Sequence, residues 1–176
     1  IDKNGDGILE KNGKLLEMNL VLQSAEFPEW KTMCEYVQSQ LKEVGIKVNL
    51  QSLEQSAYYD DLWKNRKYDL IIYRTYSDPY DPHGFLIDLF HKKGDTPAVV
   101  WSDTELEKHI DEVIATMDEK ERQQIYDQIF QLMYERAMCV PLYYNEKIFV
   151  VNTRVKGFEF GTSSSKPIRL ENLNIR

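Results

Sequence analysis

Residues 15–53 constrain this chain most, because the hydrophobic period changes twice within that one run. Leu16, Met18, Leu20 and Leu22 alternate, the two-residue period of a strand, and Val21 makes the second face partly apolar. A strand over residues 15–22, covered on both faces, is the expectation. Trp30, Met33, Val37, Leu41 and Val44 then recur at steps of three and four, which predicts a helix over residues 28–44. Gly45 supplies its stop. Residues 46–53 alternate again and read as a second strand. Two strands joined through a helix by short links form a right-handed crossover and lie parallel.

The rest of the chain extends this plan. Residues 57–64 read as a short helix. Residues 68–75 (YDLIIYRT) form a dense apolar run rich in β-branched side chains, expected as the third parallel strand. Residues 76–82 are a loop of tyrosine, aspartate and proline, and residues 83–90 resume a helical turn or two. Ser102 with Glu105 and Asp118 with Glu121 have the spacing of capping boxes, opening helices that run to about residues 116 and 137. Ile125, Ile129, Leu132, Met133 and Arg136 trace one face of the second. Residues 140–151 read as a strand pair or one long bent strand, and residues 158–160 as a short strand in an otherwise irregular tail. The predicted class is α/β, a mainly parallel sheet with helices on both faces.

Charge and motifs exclude several functions. The formal net charge is -7, whereas a nucleic-acid binder needs a basic surface to displace counterions. The two cysteines, Cys34 and Cys139, form no CxxC pattern and are expected as buried free thiols. The opening Asp2-Lys3-Asn4-Gly5-Asp6-Gly7 resembles the start of a calcium loop, but the position of its last, bidentate carboxylate is held by Gly13. The stretch is therefore read as a turn, with Gly5, Gly7 and Gly13 at positive φ. No run is long and apolar enough for a membrane span.

In an open parallel sheet, ligands bind beyond the carboxyl ends of the strands. That rule selects residues 23–27, 53–56 and 76–82. The third loop carries Tyr76, Asp78, Tyr80 and Asp81, with His83 just after it, and Pro79 and Pro82 stiffen it. Asp78 is either a ligand group or the cap of the turn before Pro79. Ser77 with His83 could be read as a hydrolase pair, but no GxSxG and no oxyanion hole accompany them. His83 and His91 flank an apolar stretch without the i, i+4 spacing of a zinc pair. His109, in a charged helix, is expected to face solvent.

Residues 58–86 read YYDDLWKNRKYDLIIYRTYSDPYDPHGFL. An aromatic helix start, a basic linker, Tyr-Asp-Leu with further apolar residues, and an aromatic loop closing on DPxxFL resemble the nickel, dipeptide and oligopeptide solute-binding proteins of ABC importers, bacterial extracellular solute-binding family 5. The opening DKNGDGILEKNGKLLEMNLVL and the later VPLYYNEKIFVVNTRVKGFEF resemble the segments by which the chain enters and leaves the C-terminal lobe of those proteins. The resemblance implies a type II periplasmic-binding-protein fold of two lobes. Residues 1–176 would be the C-terminal lobe, with the tail, residues 152–176, packed on the missing N-terminal lobe. It implies no catalysis and no resident cofactor. It also implies an extracytoplasmic location, as a periplasmic protein or a surface lipoprotein, and a membrane permease as partner. Tyr80-Asp81-Pro82-His83 resembles the nickel-binding branch, where the metal travels as a small-molecule chelate. Tyr76 and Tyr80 would then be aromatic walls and His91 the metal ligand. In the peptide-binding branch the position of Asp78 receives the ligand's α-amino group.

Overall fold

The structure is a computed structural model, and it describes residues 2–75, 82–94, 98–100, 102–144, 148–161 and 166–175. It comprises two units, residues 1–74 and 75–176.

The first unit is built on three parallel strands. β1 (Glu10–Lys11) and β2 (Lys14–Leu15) form an antiparallel hairpin that leads into β3 (Glu17–Leu22). After α1 (Glu29–Glu43), β4 (Lys47–Ser52) pairs with β3 along its whole length, from Glu17 opposite Lys47 to Leu22 opposite Ser52. α2 (Gln55–Asp60) continues as a π turn over Asp61–Asn65, and Arg66 ends it in the left-handed region at φ 54°. β5 (Leu70–Ile71) lies parallel on the other side of β3, giving the order β4-β3-β5. The crossover read from hydrophobic period is therefore present. Central position explains why Leu20, Val21, Leu22 and Gln23 are all buried. α1 turns Trp30 and Cys34 inward, while Val44, at its end, is exposed.

The third strand is much shorter than residues 68–75. Single backbone bonds to β3 flank it, Asp69 N–H to Asn19 O at 3.1 Å and Ile72 N–H to Val21 O at 3.2 Å, and side chains add to them. The Asp69 carboxylate accepts from the Asn19 N–H at 2.7 Å, and the buried Tyr58 hydroxyl donates to the Ile72 carbonyl. Burial pushes the Tyr58 hydroxyl's pKa up. The phenol thus stays a donor, and the carbonyl next to the sheet is satisfied without another strand residue.

The turn between α1 and β4 is a Schellman motif. The Gly45 N–H donates to Lys42 O at 3.0 Å and the Ile46 N–H to Leu41 O at 2.9 Å, with Gly45 at φ 82°. The Gly45 carbonyl accepts from Leu9 N–H at 2.8 Å, which ties the amino-terminal hairpin to the crossover. The Asp2 carboxylate accepts from the N–H groups of Gly5 and Gly7, and these bonds lower its pKa. Gly5, Gly7 and Gly13 all have positive φ, as read for a turn.

The second unit contains α3 (His83–Phe90), α4 (Thr104–Ala115) and α5 (Glu119–Glu135). Leu86, Leu89 and Phe90 of α3 are buried, as are Leu106, Ile110 and Val113 of α4 and Ile125, Ile129 and Met133 of α5. The α4 cap is Asp103, not Ser102. Asp103 accepts from the N–H groups of Glu105 and Leu106, while Ser102 Oγ accepts from Ala98 N–H. A carboxylate one residue nearer the helix outcompetes the hydroxyl for the first amides. Asp118 caps α5 as expected. Arg136 bridges Asp103 and Glu105, which accounts for its place on the otherwise apolar face. His109 is half-buried, with Nδ1 3.4 Å from Glu112, rather than facing solvent.

Two strand expectations here are overturned. Residues 140–144 and 148–151 form no strand among the described residues, and Val140, Tyr144, Ile148 and Val150 are exposed. In the tail, residues 158–160 contribute a single bridge, Phe160 to Ile168, while the paired strands are β6 (Val155–Lys156) and β7 (Asn174–Ile175). β-propensity supplies no partner, and a strand exists only where another segment accepts its hydrogen bonds.

Cys34 and Cys139 are free thiols, but only Cys34 is buried; Cys139 is exposed. Burial pushes Cys34 up to about 11. At pH 8 a maleimide reagent is therefore expected to label Cys139 in the native protein and Cys34 only after denaturation. Equal native labelling of both would contradict the packing around α1. A Cβ at Gly45 would sit 2.5 Å from Leu9 Cγ at a backbone angle that side chains resist. Gly45→Ala should therefore cost about 1–3 kcal/mol, read as a lower urea midpoint in tryptophan fluorescence with unchanged slope.

Candidate functional site

Of the three loops beyond the strand ends, the first two are described, and they converge. Gln23, fully buried at the end of β3, holds Glu26 from both sides. Gln23 Oε1 accepts from Glu26 N–H at 2.9 Å, and Gln23 Nε2 donates to Glu26 Oε2 at 3.2 Å. The Glu26 carboxylate therefore stands at the carboxyl edge of the sheet. Its Oε2 receives two further donors from the segment after β4, Gln55 Nε2 at 3.1 Å and the Tyr59 hydroxyl at 3.0 Å. Burial first, and the bond to Glu26 second, push the Tyr59 pKa up, so the phenol remains a donor. Ser24 and Ser52 hydroxyls lie 3.4 Å apart beside it.

Arg74 approaches from beyond β5. Its guanidinium lies 5.0 Å from the centroid of the Phe27 ring and 3.9 Å from Glu26 Oε1. Phe27 stacks on the buried Trp30 with ring centroids 4.3 Å apart and planes 20° apart. Trp30, Phe27 and Arg74 thus form a column that rises from the core and ends in a cation at the sheet edge. Beneath it, Trp30 meets Tyr58, and Tyr58 meets Tyr59 edge-on at 5.2 Å. The edge therefore presents a carboxylate, a phenol and a guanidinium, each positioned by a different strand end. The arrangement suits recognition of a polar solute, and among the described residues it contains no nucleophile paired with a base.

Tyr76, Ser77, Asp78, Tyr80 and Asp81 lie outside the described residues. His83 opens α3 and is half-buried; His91 follows the last turn of the same helix. Both His91 ring nitrogens are engaged, Nδ1 with Lys92 O at 2.6 Å and Nε2 with Asp111 Oδ1 at 2.9 Å. Among the described residues no group of three or more histidine, cysteine, aspartate or glutamate side chains could hold a metal ion. Sequence reasoning selected the loops of Glu26, Phe27 and Gln55 by strand order but missed Tyr59 and Arg74. Tyr59 lies within α2 and Arg74 within the apolar run read as a strand, so neither carried a local signal.

The family model "Bacterial extracellular solute-binding proteins, family 5 Middle" matches residues 2–97, more than half of the chain. The nickel-binding periplasmic protein of Escherichia coli is 31% identical over 143 residues, 80% of this chain and 27% of that protein. The oligopeptide-binding protein AppA of Bacillus subtilis is 29% identical over 168 residues, 90% of this chain and 29% of that protein. Among solved structures, NikA from Brucella suis in complex with Fe(III)-EDTA superposes with a TM-score of 0.77 and 28% identity, over 99% of this chain and 35% of that one. The chain thus spans well under a third of the length of these two curated relatives. Its α/β architecture with a parallel sheet is that of the type II periplasmic binding proteins, and the matched proteins are named for binding, not for a reaction. By the match over its amino-terminal half and the parallel sheet that this half builds, the chain belongs to the bacterial extracellular solute-binding proteins, family 5.

Proposed function

We propose that this chain is the C-terminal lobe of the solute-binding component of an ABC importer, acting outside the cytoplasmic membrane and delivering its solute to a membrane permease. The observation that carries the reading is the polar and aromatic cluster of Glu26, Tyr59 and Arg74 at the carboxyl edge of a parallel sheet, where such sheets receive ligands. A second lobe would complete the cleft. The exposed apolar side chains Phe160, Leu170 and Ile175 in the tail support its packing on that lobe. Solute contacts made by both lobes would favour a closed state that the permease recognises.

For the solute we propose nickel carried as a small-molecule chelate. The support is the sequence Tyr80-Asp81-Pro82-His83 and the similarity to a nickel-binding periplasmic protein. Tyr76 and Tyr80 would flank the chelate, with Asp78, Asp81 and His83 near it. His91 would ligate the metal by giving up its contact with Asp111. Asp111 can release it to water, since its side chain is 69% exposed. A second reading is peptide capture with Asp78 on the α-amino group, supported by the similarity to AppA.

Titration calorimetry on the full-length protein separates the two. Nickel with excess L-histidine is expected to bind, with no heat from a dipeptide panel in the absence of metal. Tight, metal-independent dipeptide binding would remove the nickel reading. In that case Asp78→Ala should weaken the dipeptide by about 10- to 100-fold, the worth of one charge-assisted hydrogen bond.

A further inference from the structure

The carboxyl edge of the sheet holds a cation whose hydrogen-bonding capacity is largely uncommitted among the described residues. A guanidinium has five N–H donors in a planar fork. Among the described residues, that of Arg74 donates no hydrogen bond. Its nearest carboxylate oxygen, Glu26 Oε1, is 3.9 Å away, an ionic contact too long for one. The other oxygen, Oε2, is occupied by Gln23, Gln55 and Tyr59. Glu26 is thus fixed by neutral donors and does not draw the arginine down onto itself.

The position of Arg74 is nonetheless set. It rests on Phe27, which rests on the buried Trp30, so the guanidinium is held by an aromatic face while its side chain remains half exposed. A cation held by its face keeps the fork at its edge for a planar, bidentate partner. The Glu26 charge close by offsets part of the desolvation cost without blocking that fork. A structural arginine shows the opposite pattern, as Arg136 does: its guanidinium nitrogens are directly bonded to Asp103 and Glu105.

We infer that Arg74 is a solute-binding residue and that the solute carries a carboxylate, which Arg74 receives at the sheet edge on the Trp30–Phe27 column. The inference rests on the solute-binding reading above and deepens it, since it assigns a residue to the carboxylate that both an L-histidine chelate and a dipeptide carry.

The test compares matched acid and amide probes on the full-length protein: nickel with L-histidine against nickel with L-histidinamide, and Ala-Phe against Ala-Phe amide. Whichever pair binds, the wild type is expected to prefer the acid by about 10- to 100-fold. Arg74→Gln should abolish the preference by weakening the acid alone, and Arg74→Lys should keep part of it. Phe27→Leu should reduce it by loosening the fork. An acid preference unchanged in Arg74→Gln overturns the inference and leaves the solute-binding reading standing. So does equal weakening of acid and amide, the mark of a merely structural arginine. If neither pair binds the wild type, the solute reading for these cargoes fails by itself. The side-chain Nε resonance of Arg74 then decides: a shift on titration with sodium acetate, absent with sodium chloride, supports a carboxylate site, and no shift overturns it.

Discussion

The pairing of β3 with a neighbour on each side holds the first unit together. A central strand must be apolar on both faces and must end where its backbone can leave the sheet. β3 does so through Leu20, Val21 and Leu22, and then places Gln23, an amide, in a fully buried position. A buried amide must be satisfied. Gln23 meets that requirement with the backbone and carboxylate of Glu26, three residues on. The constraint that closes the core therefore also aims a charged side chain at the sheet edge.

From that point the geometry follows by exclusion. Glu26 presents two oxygens, and Gln23, Gln55 and Tyr59 all converge on one. The other faces Arg74 across a gap too wide for a hydrogen bond. The arginine is positioned instead by Phe27, and Phe27 by Trp30, a residue that α1 must bury in any case. The edge is polar, yet its rigidity comes from aromatic packing and one satisfied amide. Preorganisation of this kind lowers the ordering cost that a solute would otherwise bear on binding.

The period changes at Gln23 and Gly45 made the crossover legible, because Leu16, Met18, Leu20 and Leu22 can share one face only in a strand, and Trp30 through Leu41 only in a helix. Gly45 was legible for a further physical reason, since a Schellman turn needs φ near 82° and glycine adopts it freely. The length of β5 was not legible. Tyr-Asp-Leu-Ile-Ile-Tyr has strong strand character, but beside the two paired residues the Asp69 carboxylate and the Tyr58 hydroxyl share the hydrogen bonding with the backbone, and such contacts depend on residues distant in sequence. The same holds for the site. Strand order selected the loops of Glu26 and Gln55, while Tyr59 and Arg74 join them only through three-dimensional proximity.

Residues 140–151 carry this point furthest. Val140, Leu142, Tyr143, Tyr144, Ile148 and Val150 have every local attribute of a strand, and all are exposed. Local preference fixes φ and ψ only weakly, whereas the hydrogen bonds of a strand belong jointly to two segments. The tail gives the contrast within the same unit. Val155–Lys156 is no more apolar, yet it is a strand because Asn174–Ile175 lies opposite. Phe149, Phe158 and Phe160 meet one another in a cluster of tilted rings without forming a ladder. An extended apolar segment whose edge lacks a partner is prone to pair with another.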